Sequence, residues 1–241
     1  MGKYNGKAPE VTPLLSANAP FAYAEAYKTL RTNLSFASIR KQYKKIIITS
    51  AIPNEGKSTV AVNLAITLAE SGARVLLVDC DLRNPTLRRL LRIRPDYKEG
   101  LTSLLTNTAQ EECIFRHSKT NCDVLLAGTT PPNPAELLSS PQMQRLLDQL
   151  SERYDYIICD TPPVSVVTDA AALSRFCDGV ILVVRQKTST RDQVWAAKRN
   201  LDAVQANVIG TILSCYDMSN DTQAVSPYYG SYYGEKGKKK K

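Results

Sequence analysis

Apolar runs of strand length recur along the chain at 46–49, 75–79, 124–127, 156–160, 180–184 and 208–213, with segments of helical periodicity between them. Alternation of this kind predicts an α/β fold. The runs are continuously apolar, which marks strands covered on both faces, so the fold class expected is a mainly parallel sheet with helices on both faces. Ahead of the first run, Tyr23, Ala26, Tyr27, Leu30, Leu34 and Ala37 recur at helical spacing, with Glu25, Lys28, Arg31 and Arg40 among the polar positions. That is an amphipathic helix outside the strand–helix alternation. After Leu213 the apolar periodicity stops, and the polar ending DMSNDTQAVSPYYGSYYGEKGKKKK reads as a flexible tail. The expected division is an N-terminal segment over 1–44, a core domain over 45–217 and a tail over 218–241. No internal repeat is visible.

With 241 residues, 43% apolar and 22% charged, the chain has the make-up of one globular domain large enough to bury a core, which excludes disorder as a whole. No stretch approaches the ~18 apolar residues of a membrane span, and the N-terminal MGKYNGKAPE lacks the apolar centre of a secretory signal. A cytoplasmic protein is expected. The net charge is +8, but residues 235–241 hold five lysines and one glutamate, leaving 26 bases against 22 acids in the rest. Basicity so localised does not describe a nucleic-acid binder; it suits an anionic membrane surface or a solubilising terminus. Cys80, Cys113, Cys122, Cys159, Cys177 and Cys215 show no C-x-x-C spacing, and two of them sit inside apolar runs, so reduced core thiols are expected. His117 is the single histidine, which removes histidine triads and His-clustered metal sites.

The sharpest motif is KKIIITSAIPNEGKST, an apolar strand running into a loop and then into the helical VAVNLAITLAE. Backbone N–H groups at such a junction can surround a triphosphate. Lys57 is expected to neutralise the β and γ phosphates and the Ser58 hydroxyl to ligate Mg²⁺, with Asn54, Glu55, Gly56 and Thr59 completing the nucleotide-binding stretch. Ala51 holds the first position of the usual G-x-x-x-x-G-K-[ST] pattern and permits the turn only at negative φ. Asp79 and Asp81 end one apolar run and Asp160 another. In a parallel sheet the C-terminal strand ends share one edge, so these acids converge with Lys57 on one crevice. Hard oxygen ligands there are what a magnesium–nucleotide requires.

With Leu82-Arg83-Asn84-Pro85 after the D-x-D and the later Cys159-Asp160-Thr161-Pro162-Pro163, the motif set resembles the bacterial protein-tyrosine kinases of capsule and exopolysaccharide operons in their stand-alone cytoplasmic form. These are relatives of the MinD/ParA P-loop ATPases, and the resemblance runs from about Glu25 to the tail. It implies an ATP-dependent tyrosine autokinase controlling polysaccharide synthesis or export, with ATP and Mg²⁺ as nucleotide and metal. It assigns Lys57 and Ser58 to Walker A, Asp79 and Asp81 to Walker A′, and Asp160 to Walker B. The catalytic set so implied is Lys57, Asp79 and Asp81, with Asp79 as the base, and the metal set is Ser58, Asp81 and Asp160. Glu25, Lys28 and Arg31 match the family's oligomer-forming E-x-x-R-x-x-R, with lysine replacing the first arginine. The implied partners are a membrane adaptor whose cytoplasmic tail completes and activates the site, further copies of the chain in a ring, and a cognate tyrosine phosphatase, with no nucleic acid. The implied location is the cytoplasm, with recruitment to the inner face of the membrane. One departure concerns the base pocket, where Ser214-Cys215 stands in place of the Asn-Lys of many relatives.

The 12 tyrosines spread evenly would put about 0.3 in any six-residue window, yet Tyr228, Tyr229, Tyr232 and Tyr233 share one. They are the expected phosphoacceptors; an aromatic patch and a stacking platform for single strands are the alternatives. If the last strand is parallel to the others, the tail leaves on the catalytic edge, and the stretch from Leu213 to Tyr233 spans at most ~70 Å. A phenol with a pKa of ~10 is protonated at neutral pH, so transfer to it requires a carboxylate base beside the γ-phosphate. Arg83, Arg88, Arg89, Arg92 and Arg94 fall within twelve residues, either as a solvated helix face or as a dock for an acidic partner or a phosphorylated tail. Accumulated phosphate is expected to repel the tail from an acidic site and loosen the ring. The rival function is a MinD/ParA-type nucleotide switch that binds membrane or DNA; the tyrosine cluster and the Glu25 helix favour the kinase.

Overall fold

The computed structural model describes residues 14–16, 18–39, 41–94, 98–109 and 111–216. The predicted tail, with Tyr228, Tyr229, Tyr232 and Tyr233, lies outside the described residues. Helix α1 (Phe21–Ala37) precedes β1 (Lys45–Ser50), α2 (Lys57–Glu70) and β2 (Val75–Asp79). The short helices α3 (Leu87–Leu90) and α4 (Leu101–Leu105) lead to β3 (Phe115–His117), β4 (Cys122–Leu125), α5 (Pro134–Leu138), α6 (Pro141–Arg153) and β5 (Tyr156–Asp160). The chain continues through α7 (Asp169–Ser174), β6 (Gly179–Arg185), α8 (Arg191–Ala203) and β7 (Val208–Ser214).

These strands form one sheet in the order β3-β4-β2-β5-β1-β6-β7, parallel throughout except for the antiparallel β3–β4 pair. Successive residues of a strand point to opposite faces, and β1 divides accordingly. Ile46 and Ile48 join Leu64, Leu68 and Leu34 on the side of α1 and α2, while Ile47 joins Leu147, Leu173 and Leu201 on the side of α6, α7 and α8. The two-sided burial inferred from continuous apolar runs is therefore present as two cores. Ser140 and Thr190 cap α6 and α8, the latter through a full capping box with Gln193.

All six predicted runs fall on strands, but the run at 124–127 is displaced: its strand begins at Cys122, and residues 126–127 instead accept from the Leu101 and Thr102 amides. Strand β3 was not expected, because three half-exposed residues carry no periodicity to read. Cys80, Cys113, Cys122 and Cys159 are buried as expected, Cys177 is half-buried and Cys215 is exposed.

The register fixes the site. Asp79 at the end of β2 pairs with Asp160 at the end of β5, and Ile48 of β1 pairs with Asp160 on the other side. Three central strands thus deliver their C-terminal ends to one edge, beside the loop that enters α2.

Candidate active site

The loop from β1 to α2 depends on two left-handed residues, Asn54 (φ 67°) and Gly56 (φ 87°). Asparagine tolerates this region and glycine adopts it freely. A Cβ on Gly56 would meet only the Ser214 side chain, at 3.7 Å, so the backbone conformation rather than space requires glycine. Ala51 is buried and is not among the positive-φ residues, as its place in the motif demands.

Lys57, the first residue of α2, turns its ammonium to the strand ends. Its Nζ lies 3.1 Å from Asp81 Oδ2, 3.7 Å from Asp160 Oδ1 and 3.3 Å from Ser58 Oγ. Burial pulls the Lys57 pKa down, but the Asp160 and Asp81 carboxylates outweigh it and the net direction is upward, so the lysine is charged.

The three aspartates differ in what they offer. Asp79 is fully buried, and its two oxygens accept from the Leu87 amide (3.1 Å) and the Asp81 amide (3.3 Å). Burial first, then the neighbouring Asp160 charge, push its pKa well above the usual carboxylate range. Asp81 accepts from Lys57 and from the Asn84 amide and faces the crevice. Asp160 is fully buried and both its oxygens lack a hydrogen-bond partner among the described residues, with the Lys57 ammonium as its cation. Burial holds its pKa up, with Lys57 pulling the other way. A buried carboxylate left without donors is what a metal ligand looks like before its metal is bound. Mg²⁺ is bound by one or two carboxylates together with phosphate oxygens, and Asp160 and Asp81 are carboxylates that fit that part.

Lys57, Ser58 and Asp81 open on one crevice of about 1240 Å³, with Asp79 and Asp160 buried outside its lining. Asn54, Gly56, Lys57, Ser58, Thr59 and Asp81 line it together with Pro162, Pro163, Val166 and Val167. The wall with the two prolines is pinned to β1 by Thr49, whose hydroxyl donates to the Pro162 carbonyl at 2.8 Å.

A protein-family model for the AAA domain matches residues 43–212. Tyrosine-protein kinase YwqD of Bacillus subtilis is 41% identical over 214 residues, covering 88% of this chain and 87% of that protein. The chain belongs to the bacterial tyrosine-protein kinases. This kinase is also 34% identical to tyrosine-protein kinase CpsD of Streptococcus agalactiae, over 90% of this chain and 92% of that one. The kinase domain of Escherichia coli tyrosine kinase ETK has a TM-score of 0.77 at 33% identity, covering 84% of this chain and 80% of that one. The septum site-determining protein MinD of Pyrococcus horikoshii, complexed with Mg-ADP, has a TM-score of 0.61 at 24% identity, covering 79% and 76%. The switch ATPases share the architecture of the kinase, and the family relationship lies with the tyrosine kinases.

Several residues of the kinase site have places that sequence reasoning did not supply. Glu55, expected on the nucleotide, points its carboxylate away from the crevice. It accepts from the Ile52 amide (2.8 Å), the Arg185 amide (3.0 Å) and the Ser189 hydroxyl, so it ties the phosphate loop to the end of β6. Its place in the nucleotide-binding stretch is thus one for its backbone, while its side chain serves as a latch. Thr86 donates to Ser58 Oγ at 2.8 Å. Arg83, counted in a run of surface arginines, is forked onto the buried Asp169. Apart from Ile52, none of these partners is local in sequence, so no motif announces them. Lys28 and Glu25 pair with each other at 2.8 Å, and Arg31 donates to the Thr67 carbonyl of α2 at 3.0 Å. Among the described residues, no helix is long and apolar enough to cross a membrane.

Proposed function

We propose that the chain transfers the γ-phosphoryl group of ATP to Tyr228, Tyr229, Tyr232 and Tyr233 of its own C-terminal segment, on a neighbouring copy, as a control on capsular or exopolysaccharide synthesis and export. The observation that carries this is the end of β7. Ser214 donates to the Glu55 carbonyl of the phosphate loop at 2.6 Å, so the segment holding the tyrosines departs beside that loop.

In this reading the amides of residues 54–59 hold the phosphates, and Lys57 exchanges its carboxylate partners for phosphate oxygens. Ser58, Asp81 and Asp160 would hold Mg²⁺, which supplies charge neutralisation at the β and γ phosphates. Asp79 and Asp81 are the proposed catalytic carboxylates: Asp81 faces the crevice, and Asp79, the base that the resemblance implies, lies buried beside it with each oxygen accepting one amide. In this reading Asp79 receives the phenolic proton as the tyrosine oxygen attacks the γ-phosphorus in line and ADP departs.

Glu25, Lys28 and Arg31 remain the proposed ring contact. Their present bonds within the chain are partners to be exchanged on assembly. The membrane adaptor, the phosphatase and recruitment to the membrane face belong to the same proposal.

Incubation with labelled ATP and Mg²⁺ followed by peptide mapping tests it. Label confined to 228–233 and abolished by Lys57→Met supports the reading. Free phosphate with an unmodified tail overturns it in favour of a nucleotide switch.

A further inference from the structure

The crevice is larger than one nucleotide needs. Ligand pockets commonly measure ~300–1000 Å³, and this one, about 1240 Å³, extends from the phosphate loop past Thr86 to a second limb walled by Arg89, Arg92, His117 and Lys119. Thr86 touches Ser58, and Arg89 and Arg92 follow three and six residues later.

Its charge is unbalanced. Asp81 is the one carboxylate residue lining the crevice among the described residues, against Lys57, Arg83, Arg89, Arg92, Lys119 and Arg185. Lys57 is matched by Asp81 and Asp160, and Arg83 by Asp169. Arg89, Arg92 and Lys119 make no ion pair with a described residue. The His117 ring is already engaged by the Leu91 carbonyl and the Thr120 hydroxyl, so it closes the wall without offering a free donor. Arg92 sits at φ 56°, in the left-handed position after a helix that glycine or asparagine usually fills. Arginine there is a strained choice of residue, and it places a guanidinium on the crevice wall. This wall is of opposite sign to the acidic site from which a phosphorylated tail was expected to be repelled.

We propose that Arg89, Arg92 and Lys119 form a binding site for phosphotyrosine of the 228–233 segment, so that one modified tyrosine pair anchors the chain end while the other pair is presented to the phosphate loop. Guanidinium groups take phosphate in bidentate fashion, and a phosphotyrosine carries about −1.5 to −2 charge. The tyrosine pairs are offset by four residues, at most ~14 Å of extended chain. The segment before modification holds no acid between Asp221 and Glu235, so it gains its affinity for the limb only by being phosphorylated. The kinase is then biased toward completing a tail it has begun. This inference rests on the reading of the tail tyrosines as acceptors.

The test is a titration of the full dephosphorylated chain, without ATP, by fluorescence anisotropy with labelled peptides of residues 224–234. One peptide is unmodified, one carries phosphate on the tyrosines at 232 and 233, and one is a glutamate peptide matched in charge to the second. The phosphopeptide is expected to bind at least tenfold more tightly than both others, and the combined Arg89→Ala, Arg92→Ala and Lys119→Ala substitutions are expected to remove that gain. Equal affinity of the first two peptides, equal affinity of the glutamate peptide, or a gain that survives the substitutions overturns the proposal. Intact mass spectra provide a second readout: the substituted chain is expected to accumulate singly phosphorylated tails where the unsubstituted chain passes directly to multiply phosphorylated ones, and identical distributions overturn it. Failure of the kinase reading itself appears elsewhere, as absence of label in the tail of the unsubstituted chain, a result in which the peptide titration has no part.

Discussion

Arg83 and Asp169 are joined by two hydrogen bonds of 2.9 Å each, Nε to Oδ2 and Nη2 to Oδ1. The carboxylate is fully buried in the first turn of α7, whereas the arginine side chain is 42% exposed. The pair fastens the loop that carries Asp81 to the layer behind the Pro162–Pro163 wall. Arg83→Ala leaves a buried charge without its donors; because the arginine is half in water, the expected loss of stability is about 1–2 kcal/mol. Arg83→Lys is expected to recover less than half of it, since an ammonium cannot form the fork. Urea unfolding of the three proteins measures this, and a lysine variant as stable as the parent contradicts it.

Glu55 holds three donors from three parts of the chain. Glu55→Gln keeps the shape but replaces one acceptor oxygen with an NH₂ aimed at existing donors. The expected cost is about 2–4 kcal/mol in unfolding and about a tenfold loss of ATP affinity through a loosened phosphate loop. Calorimetric titration with a non-hydrolysable ATP analogue checks the second part; unchanged affinity in a destabilised protein would show that the latch serves folding alone.

Most of the sheet could be read from the chain because each central strand is buried on both faces, a condition that forces continuous apolar runs such as 75–79 and 156–160. Strand β3 could not, since an edge strand of three residues is held by pairing with β4 and by the Arg116–Asp123 contact, both invisible to periodicity. The site divides the same way. Lys57, Ser58, Asp81 and Asp160 are fixed by motif and by strand ends, which are local. Thr86, Asp169, Arg185 and Ser189 meet the site only through the fold, and their residue types are ordinary for loops and caps. Asp79 was legible as a site residue, whereas the two backbone amides from which its oxygens accept were not.

Ser58 Oγ accepts from both Thr86 and Lys57. A serine oxygen has two lone pairs, so ligation of Mg²⁺ requires one donor to withdraw. Thr86→Val preserves the shape and removes a donor; the Mg²⁺ concentration for half-maximal autophosphorylation is expected to fall about three- to tenfold, the equivalent of one hydrogen bond. A metal titration showing no change, or a rise, contradicts this.

Asp160 binds its proton more tightly folded than unfolded, because burial holds its pKa up. A carboxyl shifted in that direction favours the folded chain at low pH, and the benefit is lost as pH rises from the ordinary carboxylate range through the raised value. Asp160→Asn removes this titration. Without nucleotide the variant is expected to melt above the parent at neutral pH by about 2–4 °C, roughly 1 kcal/mol for a chain of this size, with the gap closing toward about pH 4. Magnesium-dependent nucleotide binding is expected to be lost in the same variant. Thermal scans across that pH range decide it, and parallel profiles for the two proteins contradict it.

The ammonium of Lys57 already has company at rest, in Asp81 and Asp160. Entry of a nucleotide is therefore a swap of ionic neighbours. A phosphate in the loop would compete for the lysine, and Asp81 and Asp160 would then be the carboxylates left to hold a divalent ion. Occupation by the one would favour occupation by the other.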